Sequence, residues 1–196
     1  MTHYRAALRR LPAGRAANAL RSAESIALVL GAAVVTAVSA QVSVTLPASP
    51  IPFTLQPVAV LLTGAVLGAR LGALSQVTYL ALGIAGASAF AWSPVLLPGV
   101  ARLAGPTGGF LLAFPVAAFV VGLCADRGHA RRASGALVSM LAGMAVLYAG
   151  GSAWASVVLG AGAGPALMAP YVAADLVKLA CIAPVVPAAR RLLTRP

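Results

Sequence analysis

Charge is what this chain has least of. Of its 196 residues only 9% are charged, with three acids in all and one lysine, Lys178, where a soluble domain carries about 25%. Together with 61% hydrophobic residues and a mean hydropathy of +0.96, that excludes a soluble globular domain and predicts one compact bundle inside a membrane. Cysteine and histidine are scarce too. Cys124 and Cys181 stand in apolar segments, His3 and His129 in basic flanks, and none has metal-ligand spacing. Neither a metal site nor a disulfide is expected. There is no Walker-type loop and no nucleophile–base pair, so neither nucleotide hydrolysis nor another reaction, and no cofactor, is expected of this chain. The formal net charge of +11 raises nucleic acid as a partner. The cations, however, cluster at the edges of apolar runs and are not interleaved with aromatics, which excludes nucleic acid and fits membrane anchors.

What is present is a series of apolar segments, roughly 23–44, 55–69, 71–91, 108–125, 134–159 and 169–189. The second is short for a span of about 20 residues. These predict an all-α membrane protein, a six-transmembrane-helix bundle with both termini cytoplasmic. Residues 1–22 read as a basic cytoplasmic arm and 23–196 as the transmembrane domain; the arm, broken by Pro12 and Gly14, leads into an apolar run too long for a signal peptide. No internal repeat is evident. In this topology the inner side holds Arg5, Arg9, Arg10, Arg15, Arg21, Arg70, Arg127, Arg131, Arg132, Arg190, Arg191 and Arg195, leaving only Arg102 and Lys178 of the 14 cations. That bias is the positive-inside signature. Arg102 falls in an outer loop and Lys178 within the sixth span.

Asp175 and Lys178 stand three apart in an otherwise apolar stretch, hence on one helix face. Intramembrane ionisable groups cost at least a few kcal/mol each and persist where they face a protein interior, pair or hold a ligand. With Pro170 placed in the first turn of the sixth helix, the pair is expected about 8 to 12 Å below its outer end. A carboxylate beside an ammonium matches a group offering N–H and C=O together, such as a urea or amide. Arg102 offers a planar fork to a carboxylate. The implied ligand is small, with a urea- or amide-like head, an apolar body and a carboxylate. Tyr79, Phe90, Trp92 and Tyr171 are candidate walls, although each fits a packing or interfacial-belt role more readily. Asp175 and Lys178 could also simply neutralise one another, and Arg102 could snorkel to headgroups. Tyr148 is expected to lie away from the site. In the first span Ala27, Gly31, Ala33 and Ala37 present small residues at i, i+4 spacing, which favours close helix approach; the partner helix could belong to this chain or to another protein.

Several motifs in order, Ala40-Gln-Val-Ser-Val-Thr-Leu-Pro47, Ile51-Pro-Phe-Thr-Leu-Gln56, Gly64-Ala-Val-Leu-Gly-Ala-Arg-Leu-Gly72, Tyr79-Leu-Ala-Leu-Gly-Ile-Ala-Gly86, Gly105-Pro-Thr-Gly-Gly-Phe110 and Asp175-Leu-Val-Lys178, give the chain its likeness. Over nearly all of 24–193 it resembles the BioY family, the biotin-binding S components of energy-coupling-factor (ECF) transporters. The resemblance implies six helices, multi-pass residence in a prokaryotic-type cell membrane, biotin bound from the outer side and no ATPase activity of its own. It also implies partnership with a transmembrane coupling (T) protein and paired cytoplasmic ATPases. By position, Asp175 and Lys178 would hold the ureido head and Arg102 the valerate carboxylate. The stretch Ala87-Ser-Ala-Phe-Ala-Trp-Ser-Pro-Val-Leu-Leu-Pro98 departs from the family's usual Pro-Val-Phe-Ala run, and Ser88 is the polar contact expected from it. On this reading the small-residue face at Ala27, Gly31, Ala33 and Ala37 would dock the coupling protein. The alternatives are an S component or solitary carrier for another small carboxylated vitamin or precursor, and a structural membrane protein without a ligand.

Overall fold

The computed structural model describes residues 15–44, 49–93 and 96–194. The basic segment 1–14, with Arg5, Arg9 and Arg10, and also Arg195, lie outside the described residues. The described residues are mostly helical: α1 Arg15–Gln41, α2 Gln56–Leu67, α3 Ala69–Ile84, α4 Ala101–Ala104, α5 Gly108–Asp126, α6 Ala133–Leu159, α7 Ala163–Ile182 and α8 Val186–Thr194, with 3-10 turns at His129–Arg131 and Ala183–Val185. Two short strands, β1 Ser43–Val44 and β2 Phe53–Thr54, pair antiparallel with Ser43 opposite Thr54.

Among the described residues, four stretches are long and apolar enough to cross a membrane, Ser22–Gln41, Gly108–Asp126, Ala133–Leu159 and Ala163–Leu193. The second and third apolar segments of the sequence become α2 and α3, of only 12 and 16 residues. They are separated by Gly68, whose φ of 86° is a conformation that favours glycine. The third segment was read as apolar to residue 91, but its helix stops at Ile84 and the chain turns through Gly86, also at positive φ. Helix α1 begins at Arg15, so part of the arm read over 1–22 is helical.

Large side chains are apolar on both sides of this bundle. Leu61, Tyr79, Met140, Leu147 and Leu179 are fully buried, whereas Leu30, Val38, Val116 and Val157 are exposed. Helices that are hydrophobic all round belong to a membrane span or the core of a large protein. Between helices, glycine sets the distance. A Cβ on Gly64 of α2 would collide with the Ala118 backbone of α5, and one on Gly122 of α5 with the backbone at Gly68 and Ala69. Small residues at such crossings let backbones touch, and in lipid that packing is a main source of helix association. Helix α5 thereby becomes the axis on which α2, α3 and α6 pack.

Helix α7 begins earlier than its sequence suggests. Gly160 and Gly162 take positive φ, the Gly164 N–H is accepted by Ser156 Oγ at 3.1 Å, and Gly164 packs so closely on Ser152 that no Cβ would fit. Those contacts start the helix at Ala163 and leave Pro170 inside it, which corrects the placement of Pro170 in the first turn. Asp175 and Lys178 then lie about 18 and 22 Å along the axis at 1.5 Å per residue, past the midpoint of α7 and deeper than expected.

Candidate binding site

The short α2 leaves room at its N-terminal end, and the 49–56 segment with β2 fills it. Backbone that is neither helix nor closed sheet is tolerated at membrane depth only where protein or water satisfies it. Here α7 supplies the donors. Tyr171 Oη donates to the Ile51 carbonyl at 2.7 Å and Lys178 Nζ to the Thr54 carbonyl at 2.8 Å. Lys178 also lies 3.5 Å over the Phe53 ring, a cation–π contact, and Phe53 stacks on Tyr171 at 5.9 Å. Gln56 Nε2 donates to Tyr79 Oη at 2.6 Å, which binds the segment to α3 as well.

Asp175 is 6% exposed. One carboxylate oxygen pairs with Lys178 Nζ at 2.7 Å and the other accepts from Tyr148 Oη at 2.7 Å. Tyr148, expected to stand away from the site, is therefore part of it: α6 brings its phenol to the acid. On the other wall Arg102, 5% exposed, projects from the single turn of α4 and donates through Nη2 to the Ala91 carbonyl. Its Nη1, like Thr107 Oγ1, is buried without a hydrogen-bond partner among the described residues.

These groups surround one cavity. Asp175, Tyr148, Arg102, Thr107 and Gln56 line it, with Phe53, Phe110, Phe114, Met168 and Tyr171 as apolar walls. Of the residues singled out in the sequence, Asp175, Arg102 and Tyr171 face it. Lys178 stands behind Asp175 and does not line it. Tyr79 is fully buried behind Gln56, and Phe90 packs edge-on against Tyr79 at 5.7 Å. Ser88 is exposed and outside the lining; its carbonyl accepts from Gln41 Nε2 at 3.2 Å. Trp92 is 67% exposed.

On α1 the small-residue face divides. Ala27 and Gly31 are exposed, and a Cβ on Gly31 would meet nothing within 4 Å. Ala33 is fully buried in the core and Ala37 packs against it, so these two serve the protein's own packing and correct the reading of all four as one docking face. The helix turns them inward because they stand two and six residues beyond Gly31, about 200° and 240° around the axis.

Sequence reasoning missed Tyr148, Gln56, Thr107, Phe53 and Phe110. Thr107 and Phe110 were visible within Gly105–Phe110, and Phe53 and Gln56 within Ile51–Gln56, but were read only as motif and loop. A tyrosine with its polar tip in an otherwise apolar span was the available signal for Tyr148.

The chain has relatives of matching extent. The BioY family profile matches residues 13–195. The chain belongs to the BioY family. It is 38% identical over 159 residues to the probable biotin transporter BioY of Pyrococcus horikoshii, covering 81% of this chain and 91% of that protein. It is 40% identical over 106 residues to the biotin transporter BioY of Thermotoga maritima, covering 54% and 60%. Its fold matches a crystal structure of the S-component for biotin from an ECF-type ABC transporter with a TM-score of 0.75 at 19% identity, over 90% of this chain and 94% of that one.

Proposed function

We propose that this BioY-family chain takes up biotin as the membrane-embedded substrate-binding (S) subunit of an ECF-type ABC transporter. The observation that carries the reading is the pair of buried, unpartnered polar atoms, Arg102 Nη1 and Thr107 Oγ1, sharing an apolar cavity with the Asp175 carboxylate. A buried donor left unsatisfied costs about 1–3 kcal/mol, and a carboxylate tail satisfies both atoms. Asp175, an acceptor paired with Lys178 at 2.7 Å, receives the ureido N–H groups. The Phe and Tyr walls cover the rings and the aliphatic tail. Lys178 acts through Asp175 and through the 51–54 backbone that it holds in place.

In this reading six membrane segments, the second and third being the short α2 and α3, place both termini in the cytoplasm, and the cavity loads from outside. The chain binds and releases substrate, and ATP hydrolysis belongs to paired cytoplasmic ATPases acting through a transmembrane coupling protein. The exposed Ala27 and Gly31 side of α1 is the face for that protein.

Purifying the chain in detergent and weighing its co-purified small molecules by mass spectrometry tests the reading. Biotin at near one per chain, displaced by desthiobiotin but not by unrelated vitamins, is expected. Retention of a different carboxylated vitamin moves the assignment to that compound, and no saturable ligand of any kind rejects it.

A further inference from the structure

At the opposite end of α2 and α5 from the cavity, α8 and the turn between α5 and α6 enclose a basic pocket. Asp126, Gly128, Arg131, Arg190 and Arg191 line it, and Pro187 forms part of its floor. Its single acid is committed. Asp126 Oδ1 pairs with Arg190 Nη2 at 2.6 Å, and Oδ2 accepts from the Ala69 N–H at the start of α3 at 3.0 Å. Arg190 Nη1 also donates to the Ala65 carbonyl at 2.8 Å, so this ion pair fastens the ends of α2, α3 and α5 to α8.

Arg131 and Arg191 are different. They come from separate elements, their side chains are exposed, and no ion pair to either exists among the described residues. The whole chain has three acids. Asp126 is engaged, Asp175 belongs to the cavity at the other end, and Glu24 stands on α1, which packs chiefly on α2 and α3. Two guanidiniums lining one pocket give it an excess of positive charge that no carboxylate side chain among the described residues answers. The surroundings specify the kind of anion that fits. Gly128, at φ 97°, carries no side chain into the pocket. Val185 and Leu192, 49% and 70% exposed, add apolar surface to the same C-terminal stretch that carries Arg190 and Arg191. Guanidinium forks take phosphate oxygens in pairs, and a basic pocket next to apolar surface is where a cytoplasmic-side anionic headgroup is held.

We infer that Arg131 and Arg191 form a binding site for a phosphate-bearing anion, with the chemistry of an anionic phospholipid headgroup. Placing it in the inner leaflet rests on the orientation proposed above; the site itself does not. The test is native mass spectrometry of the full chain with phosphatidylglycerol, phosphatidylcholine and, separately, inorganic phosphate. Wild type is compared with an Arg131→Gln/Arg191→Gln double variant that leaves Arg190 in place. Each basic residue near an anionic headgroup contributes about a five-fold preference, so the variant should lose roughly thirty-fold in selectivity for phosphatidylglycerol over phosphatidylcholine. An unchanged thermal midpoint shows that it remains folded. Inorganic phosphate that binds alone and displaces the lipid would confirm the anion chemistry and make a soluble phosphate the occupant; a lipid preference untouched by phosphate makes the headgroup the occupant. Equal selectivity in wild type and variant overturns the site. None of these readouts involves biotin or membrane sidedness, so failure of the transport reading leaves them interpretable.

Discussion

A carboxylate that is almost fully buried inside a bundle has to be answered on both oxygens, and Asp175 is answered by Lys178 and Tyr148, each at 2.7 Å. Hydrogen bonds to charged groups are worth about 1.5–3 kcal/mol, so Asp175→Asn and Tyr148→Phe should each weaken biotin binding roughly ten- to a hundred-fold. Val157→Ala, on a side chain 78% exposed, should leave it unchanged. The double variant should fall short of the product of the singles, because both act on one hydrogen-bonded unit. Arg102→Gln should weaken biotin similarly yet leave biotin methyl ester binding nearly untouched, since the ester carries no charge for the fork to meet. Isothermal titration of the five proteins reads all of this, and undiminished affinity in folded Asp175→Asn protein would reduce the pair to a structural role. The acid and its lysine were legible because charges in an apolar run are conspicuous and share a helix face. Tyr148 was not, because its role depends on how α6 and α7 are rotated against each other, which no spacing within one helix specifies.

At the scale of the element, α1 separates two uses of small residues that one sequence pattern cannot tell apart. Ala33 lies in the core, while Ala27 and Gly31 open outward beside exposed Leu30 and Val34. Ala33→Trp should therefore abolish folding and biotin binding together, since overpacking a filled core costs about 1–3 kcal/mol or more. Gly31→Trp and Ala27→Trp should leave binding nearly intact and abolish ATP-dependent uptake in cells that express the coupling module. Measuring both activities on each variant decides the matter, and joint loss of binding and uptake in Gly31→Trp would assign that face to the protein's own fold. Long apolar stretches such as α5 and α6 were readable to within a residue or two, because length and hydropathy alone define them. The beginning of α7 and the end of α3 were not, since both depend on tertiary contacts and turn glycines: Gly164 against Ser152 and Ser156 in one case, and the turn through Gly86 in the other.

The molecule as a whole is polarised. Its cavity gathers the N-terminal ends of α2 and α5, whereas the opposite ends of the same helices meet Asp126 and the arginines of α8. Positive charge concentrates on the cytoplasmic side of membrane proteins, so the cavity end should face outward. Arg102 is a poor probe of that sidedness despite its expected place in an outer loop, because at 5% exposure a thiol there would be shielded whichever way the protein sits. Trp92 is the better choice, next to the cavity-lining Ala91 and 67% exposed, with Arg131 as its exposed counterpart at the other end. In a background with Cys124 and Cys181 replaced by alanine, Trp92→Cys should react in intact cells with a membrane-impermeant maleimide. Arg131→Cys should react only after the cells are opened. Labelling of the residue 131 site alone in intact cells would invert the molecule, put the cavity on the cytoplasmic side and exclude uptake from outside by direct loading.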